Sequence, residues 1–182
     1  MAQFGEAFYF VLKREGALAD LEGDRGGITK WGISQRFLKM LLPEKLQKYG
    51  VVGDPKDPET IKNLTQQIAM DIYQGEFWYP GACDKIVDNL VADYYLDMLI
   101  NMGQKEAVRC LQMATHPFGD NYGKIVLDGI IGKKTLDAVN RTGEKIMPAL
   151  MTARANYYWQ LLLKFPELSK FLKGWLNRTY QI

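Results

Sequence analysis

The chain has 182 residues, 47% of them hydrophobic and 12% aromatic, which is enough to bury a core and too apolar for a disordered segment. Its 23 Lys and Arg against 21 Asp and Glu leave a formal charge of +2, which argues against the basic stripe of a nucleic-acid binder. Two cysteines (Cys83 and Cys110) and one histidine (His116) exclude a disulfide scaffold and leave too few ligands for a zinc centre, so no metal and no cofactor is expected.

The N-terminus, MAQFGEAFYFVLKREG, lacks a basic stretch followed by an apolar run and a small-residue cleavage site, and no stretch approaches 18 consecutive apolar residues. The expectation is a chain made in the cytoplasm without a signal peptide and without a membrane span. If it works outside, another agent lets it out. Phe4, Phe8, Val11, Leu12 and Glu15 fall on one face of a first helix, with Gly16 as its C-cap. Residues 16–32 lose the period and collect Gly and Asp, so they form a loop or small hairpin. Ser34 caps a second helix toward Leu42, which Pro43 interrupts. GVVGDPKDPET is a connector in which Asp57-Pro58 reads as an N-cap and first-turn proline. Ile61, Leu64, Ile68 and Ile72 mark a helix ending near Gly75.

After the aromatic knot FWYPG, a helix over roughly residues 84–102 carries two apolar stripes, Ile86/Leu90/Tyr94/Met98 and Val87/Val91/Tyr95/Leu99, which place it at the centre of a bundle. Cys110 lies in the apolar pattern of a helix near 104–114 and reads as a buried structural thiol, while His116 before Pro117 reads as a surface residue. Helices near 132–140 and 145–164 follow, and the last leads into FPELSKFLKGWLNRTYQI. The fold class is mainly α, with one irregular polar loop near the N-terminus and no linker that would split a single compact unit.

The stretch EGALADLEGDRGGITKWGIS concentrates the chemistry. Helical spacing puts the Glu15 carboxyl on the face of Phe4, Phe8 and Leu12, where apolar neighbours and the helix C-terminus raise its pKa, as a general acid requires. A glutamate frayed into solvent is the alternative, and periodicity leaves both open. Asp24 in the polar loop can stay ionised, with Gly26-Gly27 allowing a tight return, and the Thr29 hydroxyl can hold a water. A protonated carboxyl, an ionised carboxylate and a hydroxyl in the array E-x8-D-x4-T are the parts of glycoside hydrolysis. Taken singly, Asp24 is also a turn former and Thr29 a strand residue.

This stretch resembles the E-G-G-Y…D-x-G-G-x-T-x-x-G-I signature of glycoside hydrolase family 108, phage-type N-acetylmuramidases often labelled secretion activator proteins. Phe77-Trp78 stands at the family's Tyr-Trp, and Leu96-Asp97 with Asn101-Met102-Gly103 at its Phe-Asp…Asn-x-Gly. RCLQMA, VLDGIIGKKTLDAVN and FLKGWLNR match its C-terminal peptidoglycan-binding part. The chain has Ala17-Leu18 where the family has Gly-Tyr, and Glu22 and Arg25 where its loop has prolines.

The resemblance implies a lysozyme-like helical bundle, with residues 1–103 as the muramidase domain and 104–182 as a peptidoglycan-binding-like helical region packed on it. It implies cleavage of the β-1,4 bond between N-acetylmuramic acid and N-acetylglucosamine, with Glu15 as the acid. By a looser likeness to phage lysozymes, whose last spacing is one residue longer, Asp24 and Thr29 orient and activate the water. The partner implied is the peptidoglycan glycan strand, met by a monomer. Trp31, Tyr73, Trp78 and Tyr79 are candidates to stack on sugar faces, with core packing as the alternative. Asp97 and Asn101, spaced i, i+4, either line the cleft or form a structural polar pair. Inversion of the anomeric centre is the expected outcome, because no second carboxylate has a nucleophile's setting. A non-catalytic wall-binding or secretion-activating protein on the same fold is the rival reading.

Overall fold

Helix α1 spans Phe4–Glu15 and buries Ala7, Phe8 and Val11, the face its periodicity marks. The computed structural model describes residues 1–15, 28–118 and 125–181. These fall into two compact units, Phe8–Glu76 and Met1–Ala7 with Phe77–Ile182.

In the first unit a two-residue turn joins strands β1 (Thr29–Lys30) and β2 (Ile33–Ser34), with Lys30 opposite Ile33. Trp31 (φ 53°) and Gly32 (φ 75°) both lie in the left-handed region. That is the type I′ hairpin turn, whose twist matches that of the strands. The Ser34 hydroxyl accepts from the Phe37 amide at 3.2 Å and opens α2 (Gln35–Leu38), as its sequence position predicts. Pro43 does not interrupt α2, which has already ended. It begins a separate helix, α3 (Pro43–Lys48), in the first turn where proline's missing N–H is no loss. The helix expected over residues 61–75 is two: α4 (Pro58–Lys62), capped by Asp57, and α5 (Gln66–Tyr73). Thr65 makes the break, its hydroxyl accepting from the Ile68 amide at 3.2 Å and starting a new helix. Ile33, Leu38, Ile61, Leu64, Ile72 and Tyr73 form this unit's core with Phe8 and Val11.

The second unit is built on α6 (Asn89–Met102), every residue of which from Val91 to Leu99 is buried. It begins later than its apolar stripe, because the Asp88 carboxylate accepts from the Val91 amide (3.1 Å) and fixes the start there. Gly103, at φ 81°, turns the chain directly into α7 (Gln104–Thr115). Helices α8 (Lys133–Thr142), α9 (Met147–Lys164) and α10 (Leu172–Tyr180) complete the unit, with α7 packed on both α6 and α9. Cys83 and Cys110 are free and buried, and burial pushes the Cys110 thiol up to about 12, the setting of an inert packing group. Among the described residues no helix is long and apolar enough to cross a membrane.

Candidate active site

Glu15 is the last residue of α1, the end at which helix carbonyls point their partial negative charge. Asp24, Gly16 and the Gly26-Gly27 pair lie outside the described residues. Thr29 opens β1, paired with Ser34, and is exposed.

Both elements that flank the loop are anchored at the start of α5. The indole Nε1 of Trp31 donates to the Leu64 carbonyl at 3.1 Å, and the Lys30 ammonium donates to the Lys62 carbonyl. The Gln66 amide donates to the Tyr9 hydroxyl at 3.2 Å, and Phe8 meets Tyr73 edge to face with ring centroids 5.6 Å apart. Residues 62–66 thus hold the hairpin on one side and the body of α1 on the other. From Tyr9 to Glu15 is six helical steps, roughly 9 Å along the axis.

Trp31 remains half-buried, its ring held by one hydrogen bond and its backbone in a conformation rare for a bulky residue. Strain of this kind is retained where the surroundings over-determine it, and it concentrates at functional sites. Of the other aromatics, Tyr73 is 1% and Trp78 2% exposed. Trp78 packs against Phe4 at 5.5 Å and Tyr73 against Phe8, so both are core groups whose faces are covered. Tyr79 is exposed.

Asp97 and Asn101 belong to one polar cluster of the second unit, Asp97 at its buried end and Asn101 at its exposed end. Asp97 is fully buried and its Oδ2 lies 2.8 Å from Arg154 Nη1, itself fully buried on α9. Arg178 on α10 grips the same carboxylate through Nη2 at 2.6 Å and Nε at 3.0 Å. The Arg154 guanidinium also stands 5.2 Å from the Tyr94 ring centroid. Burial works against the charge of Arg154, and the Asp97 carboxylate together with Tyr158 and Tyr94 more than offsets that, raising its pKa. Asn101 satisfies both its ends when its amide nitrogen donates to the Tyr158 hydroxyl and its oxygen accepts from Arg178, all at 3.2 Å, an orientation the reverse does not match. Asp97 is therefore the keystone of an ion cluster, the structural alternative left open by its spacing.

Glu76 was not singled out by pattern. It sits in a π-helical turn (Gln74–Trp78), accepting from Lys45 at 2.7 Å and from the Tyr49 hydroxyl at 2.6 Å. Burial pushes its carboxyl up, but those two hydrogen bonds and the charges of Lys45 and Lys48 together outweigh it and hold the pKa below the usual range. A carboxylate so held is unsuited to delivering a proton at neutral pH. The only sequence signal was an acid beside the aromatic knot, because its partners lie 27 and 31 residues away. Among the described residues no group of three or more His, Cys, Asp or Glu is placed to hold a metal ion.

The first helix closes on an acid, and the short hairpin that follows carries a hydroxyl and an aromatic ring. The chain belongs to the glycosyl hydrolase 108 family, whose model matches residues 8–103. A second model, a predicted peptidoglycan domain, matches residues 106–180. The solved structure of Brucella abortus SagA is 30% identical to this chain, with a TM-score of 0.69 over 97% of this chain and 88% of that one. No curated protein matches.

Proposed function

We propose that this glycoside hydrolase cleaves the β-1,4 bond between N-acetylmuramic acid and N-acetylglucosamine in peptidoglycan. The observation that carries the reading is the E-x8-D-x4-T array inside the glycosyl hydrolase 108 match, continued without a gap of more than two residues by the predicted peptidoglycan domain. Glu15 gives its proton to the glycosidic oxygen, so that the leaving sugar departs as an alcohol. A water held by Asp24 and Thr29 attacks the anomeric carbon from the opposite face, its proton passing to the Asp24 carboxylate. The product sugar is the inverted α-anomer. Trp31 supports the apolar side of one pyranose ring beside the hairpin. The enzyme acts at the wall, as a monomer, after release or export from the cytoplasm.

The test is muropeptide release from purified sacculi, followed by turbidity and mass spectrometry, with Glu15→Gln beside the wild type. Wild type liberates products ending in reducing N-acetylmuramic acid, and Glu15→Gln loses at least about a hundredfold. Proton NMR of the fresh product gives the α-anomer first. A β-anomer overturns inversion while leaving the acid in place. If the wild type sediments with sacculi and releases nothing, the chain is a wall-binding protein on a glycosidase fold.

A further inference from the structure

Helices α7 and α9 flank an open cavity of about 420 Å³, also lined by Leu127 and remote in sequence from the Glu15–Thr29 stretch. Helical spacing explains its two-faced wall. On α9, Asn156, Gln160 and Lys164 follow one another at i, i+4 and i+8, beside the apolar run Tyr157, Leu161 and Phe165. Met113 on α7 and Leu127 add aliphatic surface opposite.

Its charge is lopsided. Glu106 is engaged by Arg109 at 3.6 Å, a long contact between partly exposed groups. Lys164, exposed at the end of α9, has no ion pair among the described residues. Among the described residues that line it, the mouth therefore carries one cation in excess, next to two carboxamides that can donate and accept.

The whole cavity falls within residues 106–180, the span of the predicted peptidoglycan domain. Peptidoglycan offers two chemistries to such a surface. Its glycan is neutral and rich in hydroxyls, and is best met by aromatic platforms and carboxylate acceptors. Its peptide arm carries alanyl methyl groups, amides and free carboxylates. Met113, Leu127 and Leu161 suit the methyl groups of the peptide arm, and two carboxamides beside the Lys164 ammonium suit its amides and carboxylates; Tyr157 and Phe165 share the wall, and its one carboxylate, Glu106, is engaged by Arg109.

We propose that this cavity binds the stem peptide of peptidoglycan, with Lys164 receiving a peptide carboxylate, Asn156 and Gln160 bonding its amides, and Leu127 and Leu161 covering alanyl methyls. The inference rests on the wall-directed reading above and adds a second site to it. The enzyme then grips the peptide with one unit while cutting the sugar with the other.

The experiment titrates the full-length, ¹⁵N-labelled protein with synthetic L-Ala-γ-D-Glu-L-Lys-D-Ala-D-Ala and, separately, with chitotetraose. The expected result is that the peptide shifts the amide signals of Asn156, Tyr157, Gln160 and Lys164, and chitotetraose does not. Lys164→Glu, at an exposed position that leaves the core untouched, weakens peptide binding at least tenfold, and Lys164→Gln weakens it less. Absence of those shifts with the peptide, equal shifts with chitotetraose, or undiminished binding by Lys164→Glu overturns the proposal. Muropeptide release by the same preparation separates the two readings. Release without peptide binding overturns this site alone, whereas peptide binding without release supports the site and overturns the glycosidase reading.

Discussion

Asp93 shows at a single residue what burial does to a charge. It lies on α6, 9% exposed, with Oδ1 lacking a partner among the described residues. Burial first, then the nearby Glu6 and Asp88 carboxylates, push its pKa up to about 7. The folded chain therefore binds this proton more tightly than the unfolded one, whose aspartate titrates near the ordinary value of ~3.9. The stability this proton confers is complete below that value and is lost progressively as pH rises toward 7, with no further loss above. Asp93→Asn is expected to stabilise the protein by about 1–3 kcal/mol at pH 8 and by almost nothing at pH 4, read from urea midpoints at the two pH values. A larger gain at pH 4 would contradict the assignment. The sequence shows why such residues are hard to judge unaided. Asp93 and Asp97 stand on the same apolar helix, yet one has the Glu6 and Asp88 carboxylates near it while the other meets Arg154 and Arg178, the latter 81 residues away. Spacing along the chain records neither encounter. The places of Glu15 at the end of α1 and of Thr29 in the hairpin, by contrast, follow from local sequence.

Among the elements, the hairpin is where local sequence and the candidate site meet. A two-residue I′ turn wants Asn-Gly or Gly-Gly, and this one has Trp31-Gly32. Asparagine tolerates the left-handed region far better than tryptophan, so Trp31→Asn recovers backbone strain as it gives up the bond to Leu64. Its melting curve is expected to correspond to within about 1 kcal/mol of wild type, while muropeptide release falls at least tenfold, as the loss of a sugar platform requires. Unchanged release would assign the ring to packing. The helices were legible in the same measure as their signals were local. Caps at Ser34 and Asp57 fix their own helix starts, and α6 reads as central because it is apolar around most of its circumference, whereas its start at Asp88 was hidden by an apolar stripe that begins earlier. The break between α4 and α5 was not legible either, since Ile61, Leu64, Ile68 and Ile72 keep the apolar period across it. Thr65 ends the continuity by hydrogen bonding that hydrophobic spacing cannot register.

At the scale of the whole molecule, sequence and packing divide the chain at different places. The two family matches part between residues 103 and 106, but one compact unit runs through Gly103 from Phe77 to the C-terminus. The reason lies in α6, whose buried face is completed by α7 and whose Asp97 is neutralised by arginines of α9 and α10. Asp97→Asn keeps the shape and removes the carboxylate charge that Arg154 and Arg178 both meet. It is expected to cost about 3–5 kcal/mol, measured by urea denaturation at pH 7. A chain ending at Gly103 suffers the converse loss: α6 is stripped of the α7 that covers it, and Asp97 loses Arg154 and Arg178. Residues 1–103 alone are therefore expected to show no cooperative thermal transition and no muropeptide release, although every residue of the E-x8-D-x4-T array is present. A sharp melt of that fragment would mean that α6 finds its stability within the first 103 residues and that the peptidoglycan domain is an appendage. Its absence would mean that the part of the chain matched to wall binding also completes the core on which the glycosidase part is built.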